Sequence, residues 1–444
     1  MVEWQVVRLS DIITVKHGYA FKGEYFVDFS TTDILITPGN LSIGGGFNLN
    51  KPKFYRGPVP NDYVLMPGDV IVTMTDLSKE ADTLGYSAIV PYTVERLLHN
   101  QRVGKISAKN DLANLKFISW LLRTPSYRNQ IVGSATGSTV KHTSPERILS
   151  YEFKLPAYAE QQAIASILGS LDDKIELNRR MNETLEAMAQ AIFKDWFVDF
   201  GPVRRKQAGV EDPSAILGGL IPNPARAAKL AALFPVRLGD DGLPMGWEEK
   251  PLDQIADFLN GLALQKFPPK HGAESLPVIK IAQLRSGISA SADRAACDIP
   301  AKYIIKDGDF LFSWSGSLLA KFWTSGEGAL NQHLFKVTSE IYPKWFFAFW
   351  TLFHLVEFQL IAETKATTMG HIQRHHLSAA MTICPNLKSI DQMSSVFDHL
   401  ISLKIQNELQ NRTLAETRDY LLPKLMSGEV RVSDAEALIK EAAE

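Results

Sequence analysis

Two short runs set an acid two residues ahead of a lysine, the pairing that some metal-dependent nucleases use: Glu152 and Lys154 in YEFK, and Asp172 and Lys174 in DDK. The DDK run lies inside a long amphipathic stretch and YEFK has no convincing acid upstream, so both read as structural. His371, His375 and His376 in HIQRHH include two imidazoles one helical turn apart, a spacing that metal ligands use. No third ligand follows at a telling distance, and the first half of the chain offers only His142 there, so no metal site is expected. There is no N-P-P-Y-like methyltransferase motif and no G-x-x-x-x-G-K-S/T phosphate loop. Residues of catalytic type are present without a catalytic constellation, and the chain reads as a non-enzyme.

Binding chemistry is more evident. Loops rich in amides, hydroxyls, aromatic rings and cations recur in both halves: HGYAFKGEY, ITPGNL, KPKFYRG, MTDLSKE, HNQR and TGSTVKHT in the first, and NGLALQKF, IKIAQLRSG, SWSGSLLAK, LNQHLFK and KATTMGHIQRH in the second. Amides and hydroxyls read base edges, Lys and Arg neutralise phosphates, and Gly lets a backbone approach closely. Singly such loops are solvated turns; their recurrence points to a nucleic-acid surface. The candidates in the first half are Lys22, Asn40, Lys53, Arg56, Thr75, Lys79, Ser138 and Lys141. Those in the second are Lys266, Gln283, Arg285, Trp314, Ser315, Ser317, Lys365 and Thr367. Trp314 has two readings, a ring stacked or wedged at DNA and a ring buried in its own domain.

The elements that must position these loops are set by an internal repeat. Trp4, Leu9, Ile12, Gly18 and Leu41 return at Trp247, Leu252, Ile255, Gly261 and Leu284, an offset of 243. Tyr63, Gly68 and Asp69 return as Tyr303, Gly308 and Asp309 at an offset of 240, and Asn100 and Gln101 as Asn331 and Gln332 at 231. From Phe117 and Phe346 onward the offset is 229, so it falls in steps, as loop deletions would make it fall. The runs DILIT, VLMPGDVIVTM, AIVPY and GKISA read as strands and Leu115 to Val132 as a helix, which makes each half a mixed α+β unit.

A long helix follows each unit. Ile164, Leu168, Leu171, Ile175, Leu185, Ala189, Ile192 and Trp196 recur at steps of four and three, a coiled-coil seam on a helix of roughly 55 Å. Its seam carries Asn178 and Asn182, and the offset of 229 carries these onto Asn407 and Asn411 of a second helix. Paired amides would fix register, and the four Asn are expected to meet near mid-coil; alternatively the seam shifts onto Met181 and Met188 and leaves the Asn solvated. One flaw shows, because Ile175 maps to Lys404 and the second helix must use Leu403 or Ile405 there. The organisation is a first unit over 1–156, a first helix over 157–200, a Gly- and Pro-rich linker over 201–245, a second unit over 246–386, a second helix over 387–427 and a strand-like, charged tail over 428–444.

With 444 residues and 45% hydrophobic content the chain can fill more than one core. A net charge of −2 rules out nucleic-acid binding by bulk charge and requires local basic loops. Cys297 and Cys384, lone cysteines, argue for a reducing compartment, and the start MVEWQVVRL lacks a signal segment, so a cytoplasmic protein is expected. Trp345 to Ile361 is nearly all apolar but short, and carries His354, Glu357 and Gln359, so a buried helix rather than a membrane span is expected.

Long runs carry a more specific signal: LDDKIELNRRMNETLEAMAQAIFKDWFVDFGPVR, VTMTDLSKEADTLG with LHNQR, LFSWSGSLL with GALNQHLFKV, LPMGW, and LLPKLMSGEV. In these the chain resembles the specificity subunit of type I restriction-modification systems over nearly its whole length. The resemblance implies two target recognition domains, each reading half of a split site in double-stranded DNA, and two helices forming an antiparallel coiled coil that holds them apart. It implies a non-catalytic subunit that joins two modification subunits and two restriction subunits, with S-adenosylmethionine, ATP and Mg held by those partners and no cofactor by this chain. Trp196, Phe197 and Phe200 are expected either beside the modification-subunit docking surface or as a hydrophobic cap on the coil end. Half-sites roughly 34 to 36 Å apart would present one groove face to both readers, and because the readers differ in their loops the target should be asymmetric and bipartite. The rival class is a scaffold displaying two protein-binding domains without DNA.

Overall fold

The computed structural model describes residues 4–78, 80–364, 370–435 and 437. The chain divides into two compact units, one comprising residues up to Ile175 together with those from Thr413 onward, the other Glu176–Arg412. Each long helix therefore contributes one part to each unit.

In the first unit a short helix, Leu9–Ile12, leads from the strand Gln5–Arg8 into Ile13–His17. Ile13–His17 opens a four-stranded antiparallel sheet that continues through Val103–Ala108, Val70–Thr73 and Ser87–Ile89. A second sheet runs Phe26–Val27, Phe54–Tyr55, Asp33–Ile36, Arg96–His99 and Val64–Leu65, with Arg96–His99 parallel to Asp33–Ile36. Val70, Ile71 and Val72 are fully buried, which is why that strand reads as a continuous apolar run rather than an alternation.

The second unit repeats this plan. Asp257–Asn260, Leu334–Thr338, Phe310–Ser313 and Ala320–Phe322 form its four-stranded antiparallel sheet. Arg294–Ala296, Ser275–Ile279, Gly328–Leu330 and Ile304–Ile305 form the other, again with one parallel pair. The recurring Gly-Asp has a local cause. Gly68 and Gly308 take positive φ of 89° and 85° to turn the chain into the central strand. Asp69 then accepts from Met66 N–H at 2.8 Å and pairs with Lys105 at 2.6 Å, while Asp309 accepts from Lys306 N–H at 2.8 Å and pairs with Lys336 at 2.7 Å.

The long helices span Tyr158–Phe193 and Leu387–Ser427. Within the second unit their segments run antiparallel: Asn178 Nδ2 donates to Asn411 Oδ1 at 2.9 Å, and Asn407 Nδ2 to Asn182 Oδ1 at 2.9 Å. Asn178 and Asn182 are buried whereas Met181 and Met188 are 40% and 44% exposed, so the seam passes through the amides. At the register flaw, Lys404 swings to Glu186 at 2.7 Å and Ile405 packs on the core in its place. Within the first unit the helix segments meet through charge, with Asp172 held between Arg123 at 2.8 Å and Arg418 at 2.6 Å.

Three expectations are corrected. Residues 201–245 are not a free linker: helices Gly201–Gln207, Pro213–Ile216 and Pro224–Ala231 place Ile216, Leu217, Leu230 and Phe234 in the second unit's core. Asp212 and Asn223 cap two of these helices, accepting from Ala215 N–H at 2.7 Å and Arg226 N–H at 3.0 Å. Trp196, Phe197 and Phe200 lie in that same core, the first two fully buried, with Trp196 edge-on to Phe234 at 5.2 Å and Phe197 stacked on Trp247 at 5.8 Å. They seal the helix end and offer no surface for docking. The tail is helical over 432–435 rather than strand-like, and buries Ala435 in the first unit's core. The apolar run falls in the helix Lys344–Thr364, whose Trp345, Phe346, Phe349 and Trp350 are core residues of the second unit.

Candidate nucleic-acid interface

Each unit brings four segments, distant in sequence, into one ladder. In the first unit Tyr19 N–H donates to His99 O at 2.8 Å and Gln101 N–H to Tyr19 O at 3.1 Å; Met74 N–H donates to Arg102 O and Thr143 N–H to Met74 O, both at 3.0 Å. Lys141–His142 pairs antiparallel with Thr75–Asp76. In the second unit Leu262 N–H donates to Leu330 O and Gln332 N–H to Leu262 O, both at 2.9 Å; Trp314 N–H donates to His333 O at 3.4 Å and Ile372 N–H to Trp314 O at 3.0 Å. Ser315 bridges to His371 where the first unit has its short strand pair.

Two devices hold the ladder. A Cβ on Gly18 would stand 2.2 Å from Asn100 O and one on Gly261 would stand 2.3 Å from Asn331 O, so only glycine lets these strands cross. Asn100 Oδ1 accepts from Arg102 N–H at 3.0 Å and Asn331 Oδ1 from His333 N–H at 3.2 Å, which shapes the Asn-Gln turn. Repetition of Gly18 and Asn100 is thereby explained by backbone geometry, and the residues following each Asn are held at the apex of a braced turn.

The side chains on the two ladders differ. In the first unit Gln101 and Arg102 are exposed, Lys141 is half-buried, and Thr75 Oγ1 lies 3.2 Å from His142 Nδ1. Burial would raise the Asp76 carboxyl, but hydrogen bonds from Thr83 Oγ1 and from the N–H groups of Ser78 and Thr83 outweigh it and hold it below the usual carboxylate range. Asp76 is thus an anion already occupied by its own loop. In the second unit Trp314 Nε1 donates to Asn260 Oδ1 at 2.9 Å and to Gln332 O at 3.2 Å, and its ring lies 5.8 Å from that of His333. Ser315 Oγ lies 3.0 Å from His333 Nδ1. A cationic and amide-bearing edge therefore stands where the other unit offers an aromatic and imidazole edge.

Of the residues selected by loop composition, the ladders gather Thr75, Lys141, Trp314 and Ser315, with Ser138 and Ser317 in exposed turns beside them. Thr75 and Ser315 are themselves buried, and Trp314 is half-buried, its ring lying over its own unit. Lys22 and Lys266 are exposed at short turns that follow the ladder, and Lys22 reaches Glu24 at 3.6 Å. Lys53 and Arg56 flank the strand Phe54–Tyr55, Lys53 lying over the Phe26 ring at 4.5 Å, and Arg285 is exposed at the end of the helix Ile281–Ser286. Asn40 and Gln283 are corrected from base readers to turn caps, because Asn40 Oδ1 accepts Thr37 N–H at 2.9 Å and Gln283 Oε1 accepts Lys280 N–H at 3.3 Å at matching places. Lys79, Lys365 and Thr367 lie outside the described residues. The selection of candidates passed over Gln101, Arg102, His142, Asn260, Gln332, His333 and His371, although each lies in one of the loops that composition marked; recurrence of Asn-Gln, and of His142 at His371, was the signal available. Among the described residues no group of three His, Cys, Asp or Glu is placed to hold a metal ion.

The chain is similar to known proteins. A specificity subunit named for the type I restriction enzyme HindI, from Haemophilus influenzae, is 27% identical over 69% of this chain and 75% of its own length. One named for MjaIX, from Methanocaldococcus jannaschii, is 25% identical over 79% of this chain and 76% of its own length. The crystal structure of the S subunit of a type I restriction-modification system from M. genitalium covers 95% of this chain and 96% of that chain at a TM-score of 0.55 and 14% identity, which shows the fold. Residues 1–187 and 244–415 match the type I restriction modification DNA specificity domain, and the chain belongs to that family.

Proposed function

We propose that this chain is the DNA sequence-specificity subunit of a type I restriction-modification complex, and that each unit reads one half of an asymmetric, two-part site in double-stranded DNA. The observation that carries this reading is the duplicated ladder: one backbone scaffold, braced by Gly18 or Gly261, presents different side chains in the two units. Identical scaffolds with different edges suit two related but unequal half-sites. The chain supplies recognition, while modification and restriction subunits, two of each, supply S-adenosylmethionine-dependent methylation and ATP- and Mg-dependent cleavage.

In this reading a modification subunit docks on an exposed apolar stripe of the first long helix. Leu177, Met181 and Met188 lie along one side of that helix and are 54%, 40% and 44% exposed. A partner helix laid against this stripe would bury it in the manner of helix-in-groove recognition. The test of the functional reading is to co-express the chain with its modification subunit and map methylated adenines across the host genome. A single asymmetric motif in two parts with a fixed gap is expected. Methylation that is absent, or unchanged when this chain is omitted, overturns the reading.

A further inference from the structure

We propose that Arg102 is the residue of the first unit that determines specificity, reading a guanine through its guanidinium, and that its counterpart His333 makes the second unit read a different base at the matching step. The inference rests on the DNA-reading function above. Three observations carry it.

Arg102 follows the Asn-Gln pair that is the same in both units, and it is the first position at which the two ladder apexes differ: Asn100, Gln101 and Arg102 against Asn331, Gln332 and His333. Its backbone is fixed at both ends, the N–H by Asn100 Oδ1 at 3.0 Å and the carbonyl by Met74 N–H at 3.0 Å. Its side chain is exposed, and among the described residues no acid or ring engages it, while Asp76 on the adjoining segment is consumed by Ser78 and Thr83. A guanidinium on a rigid apex without an internal partner is prepared for a bidentate contact, and guanine O6 and N7 are the base-edge acceptors that fit its fork. His333 is the opposite case. Its Nδ1 lies 3.0 Å from Ser315 Oγ, its Nε2 lies 3.4 Å from Gln332 Nε2 and its ring lies beside Trp314, so it presents a fixed imidazole with neighbours of its own and no fork.

The test uses the chain co-expressed with its modification subunit, as wild type, Arg102→Ala and Arg102→Lys, with the methylated motif and its rate read genome-wide. Both variants are expected to relax one guanine of the first half-site and slow methylation there by about 5- to 150-fold, leaving the second half-site and the gap unchanged. Lysine keeps the charge without the planar fork, so a motif and rate fully restored by Arg102→Lys would remove the guanidinium fork from the reading and overturn the proposal. An unchanged motif in Arg102→Ala overturns it as well. So does total loss of methylation from a complex that still co-purifies, since one base contact cannot account for it. Failure of the wild type to methylate any motif is a different outcome, and counts against the functional reading itself.

Discussion

At the scale of single residues, the two units differ at a position that makes one of them sensitive to pH. His99 is 1% exposed, its Nε2 lies 2.8 Å from Val103 O, and its Nδ1 finds no partner among the described residues. Burial pulls the imidazole down from 6.5 to about 4, the Val103 hydrogen bond opposing it. Above pH 6.5 both folded and unfolded chains hold it neutral, so its contribution to stability is complete there. Between 6.5 and about 4 only the unfolded chain takes the proton, and the first unit loses stability as pH falls, up to about 3 kcal/mol. Asp76, held below the usual carboxylate range, adds its own loss only in stronger acid. The second unit has Leu330 in this place, opposite Ile279 in the parallel register as His99 stands opposite Ile36. Denaturant unfolding of wild type and His99→Leu at pH 7.5 and 5 is expected to show the first unit weakening in the wild type alone. Equal weakening in both would assign the acid sensitivity to another group.

At the scale of elements, the helix pairing is built from different chemistry in the two units. Arg123, Asp172 and Arg418 form an ion triad in the first, and the offset of 229 carries them to Leu352, Ile401 and Ala189 of the second, which pack on an apolar core. Burial lowers the Arg123 guanidinium against the opposing pull of Asp172, so the aspartate is what makes the buried cation tolerable. Asp172→Ile alone is expected to cost about 3 to 5 kcal/mol in thermal or denaturant unfolding, because it strands a cation whose side chain is only 7% exposed. Combining it with Arg123→Leu and Arg418→Ala, the second unit's own solution, should recover most of that loss; an equally unstable triple variant would refute the equivalence. Much of this plan was legible beforehand. The stepped offsets showed a duplicated plan, and two Asn at one spacing marked the seam. Two runs read as single elements are each divided: VLMPGDVIVTM into Val64–Leu65 and Val70–Thr73 by the turn at Gly68, and Leu115 to Val132 into the helices Leu115–Leu121 and Pro125–Gly133 by Pro125. What else escaped depends on contacts between distant segments. Nothing local distinguishes an Asn40 that caps its own turn from one that reads a base, and the ladder apex appears only when residues near 19, 74, 101 and 142 come together. The segment 201–245 read as a linker because its Gly and Pro stand out, whereas Ile216, Leu217, Leu230 and Phe234 fold it onto a core that sequence position did not reveal.

At the scale of the whole molecule, a net charge of −2 has to be reconciled with a polyanionic target. Long-range attraction from such a chain is weak, so binding must come from cations concentrated at the reading edges, and its salt dependence should count them. If about six phosphates are neutralised by the two units together, affinity should fall about 10³-fold between 50 and 200 mM salt. Lys141, on the ladder but outside the Asn-Gln apex, is expected to be one of these phosphate contacts. Lys141→Ala should then weaken all sequences alike and shallow the log–log slope by about one, whereas Arg102→Ala should mainly erode discrimination at one base. Both measurements can be made by titrating labelled duplexes, matched and mismatched in the first half-site, with the complex of this chain and its modification subunit. A slope near zero would remove DNA phosphates from the account and favour a protein-binding scaffold. A steep slope unaltered by Lys141→Ala would keep DNA as the target but move the phosphate contacts away from this edge, to cations such as Lys53 and Arg56 that flank the neighbouring strand.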